Sequence, residues 1–225
     1  MVAPEISVII RAHNSEGFVR RAIESALNQT LDKNRYEIIV VDDGSTDSTK
    51  DTVRNYGDNL RLVELEKTGA VKAANIGVRE SNGYFVTLLD SDDELEPEAL
   101  QRMLAAAKEE KADFVYCDYY ERDTRTRESR IVSLKANIFN SVACGILFRK
   151  GALENAGGHD EALIFPEYDL LIKLLNSGAK HAHVPVPLFT YNRHPRSITA
   201  DKGTVKTGME QLFKRYGKIE GLRGY

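Results

Sequence analysis

Five aspartates in the first hundred residues have the types and spacing most suited to chemistry. They directly follow two apolar, strand-like runs, as Asp42 and Asp43 after the first and Asp90, Asp92 and Asp93 after the second. In parallel α/β sheets ligands bind beyond the carboxyl ends of the strands, so we expect both groups at one crevice. Carboxylates that share a crevice repel each other unless a cation lies among them. One or two of them would suffice to hold Mg²⁺ or Mn²⁺ together with phosphate oxygens, and the alternative is an Asp-rich turn that caps the next helix.

The overall composition is that of a globular protein and excludes several classes of function. Of the 225 residues 42% are hydrophobic and 29% charged, a balance that excludes disorder as the whole answer. The net charge of −3 supplies no field that would attract nucleic acid, so no nucleic-acid partner is expected. The sequence also lacks a Gly-x-Gly-x-x-Gly segment after a strand and a Gly-Lys-Ser/Thr loop, which argues against NAD-type dehydrogenases and P-loop NTPases.

Cysteine usage and hydropathy indicate the compartment. Cys117 and Cys144 have neither metal-ligand spacing nor the density of a disulfide scaffold, so we expect free thiols. No run of about 18 apolar residues occurs, so we expect a cytoplasmic chain with no transmembrane segment. Any membrane contact would be peripheral, at the inner face, through the basic residues of 202–218. A solvated helix face is the alternative for those charges.

The elements that must position the aspartates alternate between strand and helix over the first ninety residues. Strands are predicted at 6–10, 36–41, 60–65 and 84–89, and helices at 16–29 and 70–79. This alternation predicts an α/β fold with a parallel sheet covered by helices. Ser45 or Thr46 is expected to cap the helix that follows the second strand.

A second series of elements follows Pro97. Strands are predicted at 114–119 and 145–149, and helices directly after Pro97, at 167–176 and at about 205–216. The charged segment 121–130 is predicted to be a solvated hairpin or loop. The segment that contains Pro185, Pro187 and Gly203 is predicted to be rich in loops.

Seven segments, taken together in their order, resemble the family 2 glycosyltransferases of the GT-A fold. They are residues 7–10 with Asn14, residues 40–47, Gly69 with residues 73–77, residues 89–93, residues 157–161, residues 166–170 and residues 191–194. The resemblance implies a GT-A, Rossmann-like fold with a mainly parallel central sheet flanked by helices and a C-terminal acceptor-binding subregion. It implies a single domain over 1–225: a nucleotide-sugar-binding half at about 1–95, an acceptor-binding and catalytic-base half at about 96–200, and a C-terminal tail at about 201–225.

The resemblance also implies an activity and a set of site residues. It implies an inverting hexosyltransferase of glycan or polysaccharide biosynthesis, which moves a sugar from a nucleotide-diphosphate sugar, with a UDP-sugar favoured, to a hydroxyl of a glycan, lipid-linked or protein acceptor. Asp92 and Asp90 would bind Mn²⁺ or Mg²⁺, and Glu167 would be the general base. The implied nucleotide-sugar contacts are Arg11, His13, Asn14, Asp42, Asp43, Lys72, Asn75, Asp90, Ser91, Asp93, Arg193 and His194.

Several positions depart from the family's pattern. The departures are Arg11 for a Pro, His13 for an aromatic residue, Ala74 for an Arg, His159 for a Phe and Glu167 for an Asp. They leave the donor nucleotide open, with uridine as the default. Glu167 could instead be a first-turn acid that stabilises a helix dipole, and His194 a turn residue before Pro195.

Two other functions remain as alternatives. A non-catalytic nucleotide-sugar-binding or scaffold module would keep the Asp-rich turns but lack a competent base. A sugar-phosphate nucleotidyltransferase would be expected to carry a Gly-rich N-terminal loop with a basic residue, and this sequence has Arg11-Ala-His-Asn there. Replacing Glu167 by Gln distinguishes an enzyme from a scaffold, because an enzyme should lose transfer activity and still bind nucleotide.

Overall fold

One mixed sheet of nine strands forms the centre of the part that the computed structural model describes, residues 3–140 and 145–222. Its strands are β1 (Ile6–Ala12), β2 (Tyr36–Asp43), β3 (Arg61–Leu65), β4 (Phe85–Asp90), β5 (Glu94–Leu95), β6 (Phe114–Asp123), β7 (Ser129–Val132), β8 (Ile146–Arg149) and β9 (His181–Arg193). The spatial order is β3-β2-β1-β4-β8-β6-β9-β5, and β7 pairs with β6. The first four strands in this order are parallel, as the alternating pattern predicts, whereas β8, β7 and β5 join their neighbours antiparallel.

Seven α-helices of the described residues flank the sheet. They are α1 (Val19–Leu27), α2 (Thr49–Arg54), α3 (Ala70–Glu80), α4 (Ala99–Glu109), α5 (Lys150–Asn155), α6 (Pro166–Asn176) and α7 (Lys202–Tyr216). In α1 the four buried residues Val19, Ala22, Ile23 and Ala26 follow helical spacing, so one face packs on the core. α3 approaches β1 closely, since a Cβ at Gly77 would lie 2.4 Å from Ile9 Cγ2.

Strand register brings the two aspartate groups to one edge of the sheet. β1 lies between β2 and β4, with Ala12 opposite Asp42 and Arg11 opposite Asp90. The carboxyl ends of the three parallel strands are therefore adjacent, as expected. Gly44 makes the turn after β2 with φ of +68°, and a Cβ there would lie 2.7 Å from the Lys67 backbone nitrogen.

The prediction of a loop around Pro185 and Pro187 is wrong, because both lie in β9, a strand of 13 residues. β9 pairs in parallel with β6, and the register shifts after Cys117, so that Val184 is opposite Cys117 and Pro187 is opposite Asp118. Proline lacks the N–H that a strand ladder needs and is tolerated where a bulge interrupts the ladder. The charged segment 121–130 forms the hairpin between β6 and β7, as predicted.

The predicted helix cap is also wrong. α2 begins at Thr49, and Asp47 Oδ1 accepts hydrogen bonds from Thr49 N at 3.0 Å and Thr49 Oγ1 at 2.5 Å. Ser45 Oγ instead accepts a hydrogen bond from the backbone nitrogen of Asn14 at 2.9 Å. The turn between β2 and α2 is longer than the sequence pattern indicates, so Ser45 and Thr46 lie too early to cap the helix.

The helix predicted at about 205–216, within the stretch expected as a C-terminal tail, is confirmed as α7. It packs on the segment before and within α6. Its buried face, Val205, Met209 and Leu212, joins a small core with Phe165 and Tyr168. α7 has 15 residues, and no helix in the described part of the chain has both the length and the apolar character that crossing a membrane requires.

One of the two cysteines can be compared with its prediction. Cys117 is a free thiol and is fully buried, which raises the pKa of its thiol to about 12. Cys144 lies outside the described residues.

Candidate active site

A cavity of about 540 Å³ lies at the carboxyl ends of β1, β2 and β4. Residues from both halves of the chain line it. Those predicted from sequence are Arg11, His13, Asn14, Asp43, Asp90, Ser91, Asp92, Glu167 and His194. The cavity therefore brings the Asp-Ser-Asp turn after β4 together with Glu167 on α6, which is 77 residues further along the chain if counted from Asp90.

The acidic turn after β4 has the composition of a divalent-cation site. One carboxylate oxygen each from Asp90, Asp92 and Asp93 lie within 4.8 Å of one another. Burial raises the pKa of Asp92, and the negative charge of Asp90 raises it further. A divalent cation would relieve this repulsion, and carboxylate oxygens are ligands that Mg²⁺ and Mn²⁺ prefer. The residues present thus fit such an ion.

The end of β9 is attached to this turn. Asp93 Oδ1 accepts a hydrogen bond from the backbone nitrogen of Asn192 at 2.9 Å, and Asn192 Nδ2 donates to the carbonyl oxygen of Asp92 at 2.8 Å. His194 Nε2 lies 2.7 Å from Asp92 Oδ2, and its ring stacks on Phe18 with centroids 4.9 Å apart. Through these contacts, residues of the C-terminal half of the chain bind the acidic turn of the N-terminal half.

Glu167 approaches the same cavity from the first turn of α6. Pro166 precedes it at the start of the helix, where a missing N–H costs nothing. Burial raises the pKa of the Glu167 carboxyl, and the positive charge of Arg11 opposes this rise. Glu167 Oε1 lies 4.0 Å from Arg11 Nη1. A carboxylate placed in this way can accept a proton from a hydroxyl that enters the cavity.

The loop that follows β3 forms another wall of the cavity and is held by Asp43. Asp43 Oδ1 accepts hydrogen bonds from Thr68 N at 2.6 Å and Thr68 Oγ1 at 2.9 Å, and Oδ2 accepts one from Gly69 N at 2.9 Å. His13 Nδ1 lies 2.8 Å from the carbonyl oxygen of Asp43, and Lys67 Nζ lies 3.0 Å from His13 Nε2. This wall combines a carboxylate, an imidazole and an ammonium group.

Five residues expected to contact a nucleotide sugar lie outside the cavity lining. Asp42 is fully buried and accepts a hydrogen bond from Ser45 N at 3.0 Å, which holds the turn. Lys72 is exposed on α3. Asn75 exchanges hydrogen bonds with the backbone of residue 159. Asp93 is buried against β9, and Arg193 pairs with Glu121 on the hairpin at 3.3 Å.

Sequence reasoning missed several lining residues, including Phe18, Lys67 and Arg196. The Arg196 guanidinium lies 4.9 Å from the centroid of the Phe18 ring. Lys67 follows β3 at the same sheet edge as the aspartates, so the rule that located Asp43 and Asp90 could have located it. Phe18 and Arg196 carry no comparable signal, because their proximity depends on how the segment after β9 folds back.

The sequence of this chain is similar to those of known glycosyltransferases. The family model described as "Glycosyl transferase family 2" matches residues 7–159. Over 137 residues the chain is 35% identical to EpsH of Bacillus subtilis, which is named as a glycosyltransferase. That match covers 58% of this chain and 39% of EpsH, so the chain spans about two fifths of the length of this relative.

Two solved structures share the fold. The mannosyltransferase of Pyrobaculum calidifontis in complex with GDP-Man and Mn²⁺ has a TM-score of 0.76 and 19% identity, over 96% of this chain and 64% of that one. S. aureus TarS, residues 1–349, in complex with UDP-GlcNAc has a TM-score of 0.74 and 21% identity, over 96% and 68%. At these identities the likeness establishes the GT-A fold and leaves the substrate to the site.

Proposed function

This chain belongs to glycosyl transferase family 2, and we propose that it moves a hexosyl group from a nucleotide-diphosphate sugar to a hydroxyl acceptor with inversion at the anomeric carbon. The observation that carries the proposal is the meeting of the Asp90-Ser91-Asp92 turn and Glu167 in one cavity. Family membership does not favour a non-catalytic scaffold or a nucleotidyltransferase. The acceptor, whether glycan, lipid-linked or protein, stays open.

The donor would lie along the ends of β1, β2 and β4, against the wall formed by Asp43, His13 and Lys67. A UDP-sugar is the favoured donor and a GDP-sugar the second, since the two solved structures contain UDP-GlcNAc and GDP-Man. Arg11, Asn14 and Ser91 also line the cavity and would contact the donor. The residues outside the lining, such as Asp42 and Asn75, would act by holding the turns in place.

Asp92 and Asp90 would hold the divalent cation, Mn²⁺ or Mg²⁺. When bound, the cation supplies positive charge to the donor diphosphate, which makes that group a better leaving group. His194 Nε2 lies 2.7 Å from Asp92 Oδ2, and His194 would provide a polar partner beside the diphosphate.

Glu167 would take the proton of the acceptor hydroxyl as its oxygen attacks the anomeric carbon. The bond from that carbon to the diphosphate oxygen breaks in the same displacement, so the configuration inverts. The raised pKa of the Glu167 carboxyl increases its basicity, because a base with a pKa nearer the working pH transfers protons more effectively. Arg11 favours the ionised carboxylate that must be present before the transfer.

Donor binding is tested by thermal unfolding of the protein with UDP-, GDP-, ADP- and CMP-linked sugars, each with and without Mn²⁺. A ligand that binds the folded state raises the midpoint of unfolding. We expect a Mn²⁺-dependent rise with one nucleotide family and no rise with the others. The absence of a shift with every nucleotide would contradict the donor site.

Catalysis is tested with Glu167→Gln, which keeps the shape of the side chain and removes its basicity. We expect transfer to fall by about 10²-fold or more while nucleotide binding is retained. Glu154→Gln on α5 is the matched control, because Glu154 is exposed and lies outside the cavity. Unchanged transfer by Glu167→Gln would remove Glu167 from the mechanism without affecting the donor site.

A further inference from the structure

Arg11 reaches carboxylates that belong to both halves of the chain. Arg11 and Asp90 are opposite each other in the parallel register of β1 and β4, so their side chains leave the same face of the sheet. Arg11 Nε donates a hydrogen bond to Asp90 Oδ1 at 2.9 Å, and Nη2 donates to the same oxygen. The remaining nitrogen, Nη1, lies 4.0 Å from Glu167 Oε1. One guanidinium thus lies between the turn that would hold the cation and the group that would be the base.

The charge of Arg11 acts strongly at this place because the side chain is only 10% exposed. Burial followed by the charge of Arg11 lowers the pKa of the neighbouring His159 to about 4. His159 is therefore neutral near pH 7 and does not share the cationic role of Arg11. The guanidinium offsets part of the negative charge of Asp90 and Glu167 without the proton exchange that a histidine would allow.

A second arginine in the same sheet has the same local geometry outside the active-site cavity. Arg149 Nε donates to Asp113 Oδ1 at 2.8 Å, and Arg149 Nη2 donates to the same oxygen. Asp113 also accepts a hydrogen bond from the backbone nitrogen of Lys180 at 2.9 Å, and the pair lies outside the active-site cavity. This pair has the same hydrogen-bonding arrangement without the proposed cation site or the proposed base beside it. It therefore supplies a matched control.

We propose that Arg11 is a positioning residue that couples the cation site to the base: it holds Asp90 and Glu167 at a fixed separation and weakens the attraction of Asp90 for a divalent cation. This inference rests on the proposed function, because it assigns the cation to Asp90 and Asp92 and the base to Glu167. It differs from a nucleotide contact, since two of the three guanidinium nitrogens donate to Asp90.

The test uses Arg11→Met, Arg11→Lys and the control Arg149→Met, with two readouts. The first is the affinity for Mn²⁺ alone, measured from the electron paramagnetic resonance signal of the free ion. The second is kcat and the acceptor KM for transfer, with the donor found by the thermal screen. Thermal unfolding of each variant reports whether it is folded.

Opposite effects on the two readouts are expected for Arg11→Met. Loss of the positive charge should strengthen Mn²⁺ binding by about three- to tenfold, because a repulsive charge is removed and an oxygen of Asp90 is released. Loss of the fixed geometry should lower kcat by about 10²-fold with little change in acceptor KM. Arg11→Lys should restore the original Mn²⁺ affinity and recover part of kcat, since it keeps the charge and loses the fork. Arg149→Met should change neither readout.

Other results would overturn the inference. Weaker Mn²⁺ binding together with lower kcat in Arg11→Met would indicate a general structural role, and unchanged values would indicate no role. Either result, with Mn²⁺ binding by the unmodified protein and an inactive Glu167→Gln, leaves the proposed function intact. Absence of Mn²⁺ binding by the unmodified protein overturns the cation step of the proposed function and this inference with it.

Discussion

The N-terminal half of the molecule, residues 6–95, and the C-terminal half, residues 96–222, place their charged groups by different means. In the N-terminal half Arg11, Asp43 and Asp90 lie on neighbouring parallel strands, so backbone register sets their separations. In the C-terminal half Glu167 lies on the first turn of a helix, and no strand ladder fixes that helix among the described residues. The backbone thus positions one set of groups, and side chains position the other.

Polar side chains of α7 bind α6, whose Leu170, Leu171 and Leu174 also pack in the main core. Asp169, two residues after Glu167, is fully buried. It accepts hydrogen bonds from Arg215 Nη1 at 2.8 Å and Tyr216 Oη at 2.5 Å, and it pairs with Lys173 Nζ at 2.7 Å. The position of Glu167 therefore depends in part on polar contacts that single substitutions can remove. We therefore expect distant substitutions to leave the positions of the carboxylates at the strand ends unchanged but to move Glu167.

The largest effect is expected from Asp92→Ala, which removes a carboxylate of the acidic turn that directly follows β4. Turnover should fall by at least about 10²-fold, and Mn²⁺-dependent nucleotide binding should weaken, because a carboxylate ligand of the cation is lost. Transfer assays and thermal unfolding with nucleotide measure both, and a chelator should abolish turnover in the unmodified protein.

Asp92→Asn and Asp58→Ala are the controls for this prediction. Asp92→Asn keeps a hydrogen-bond acceptor for His194 and should still lose activity, whereas the exposed Asp58 lies outside the cavity and its removal should have no effect. Full activity in the presence of chelator would rule out a cation in the mechanism.

Asp169→Asn tests whether the base is positioned by side chains. The variant leaves Lys173 and Arg215 without their buried anion, so we expect a loss of about 3 kcal/mol in the free energy of unfolding. Hydrogen exchange should show that α7 loses protection while β1, β2 and β4 keep theirs. Nucleotide binding should remain, and kcat should fall.

The matched substitution is Asp160→Asn, since Asp160 also accepts from Arg215, at 2.6 Å, but is far less buried. It should cost less than about 1 kcal/mol, as exposed ion pairs do. If Asp169→Asn lowered hydrogen-exchange protection equally in both halves, the two halves would not differ in how their charged groups are positioned.

Two glycines allow the halves to be compared by the same change. Gly77→Ala would place a Cβ 2.4 Å from Ile9 Cγ2 under the sheet, and Gly208→Ala would place one 2.5 Å from Phe165 Cδ2 at the cavity. Each should cost about 1–3 kcal/mol of stability through overpacking. Gly208→Ala should also raise the acceptor KM, because it displaces Phe165, which lines the cavity two residues before Glu167. Gly77→Ala should leave both substrate KM values unchanged.

Gly151→Ala on α5 is the control for these two substitutions. Its Cβ would meet nothing closer than Arg149 Nη1 at 3.4 Å, so better helix propensity should raise stability by up to about 1 kcal/mol. An unchanged acceptor KM in Gly208→Ala would show that Phe165 has no role in acceptor binding.

The smallest expected effect is the change in stability of the protein at acidic pH. Burial alone would raise the pKa of Asp169, but hydrogen bonds from Lys173, Tyr216 and Arg215 hold it below its usual value. The stability from these contacts is therefore fully present above about pH 4, the unfolded value, and is lost as pH falls through the folded pKa. The difference in unfolding free energy between the unmodified protein and Asp169→Asn should shrink as the pH falls from 5 to 2. A constant difference over this range would contradict the assignment.

The N-terminal half could be predicted well from the sequence because its signals are local. Apolar runs and helical spacing locate β1, β2 and β4, and the rule for parallel sheets places Asp43, Asp90 and Asp92 at one edge. Local signals fail at the turn after β2, where Asp47, and not the predicted Ser45 or Thr46, accepts the hydrogen bond from the first backbone nitrogen of α2. Turn length is set by contacts with other segments, such as that of Ser45 with Asn14.

The C-terminal half depends on contacts that sequence patterns do not report. The prolines of β9 indicate a loop, and only the pairing with β6 on one side and β5 on the other makes the segment a strand. The approach of Arg11 to Glu167 joins positions 156 residues apart, and neither position signals the other. The predicted contacts of Lys72 and Arg193 rest on motif order, and both residues lie outside the cavity lining.

The position of β9 has a consequence for how the chain folds during synthesis. β9 lies between β6 and β5, so the edge of β6 that β9 covers has no strand partner until about residue 190 has been made. At about 5–20 residues per second the nascent chain would spend at least several seconds with this sheet edge open. Pairings so distant in sequence form slowly. An open strand edge next to apolar surface is a site where chains aggregate, so the yield of folded protein should depend on translation rate and on chaperones that cover this edge.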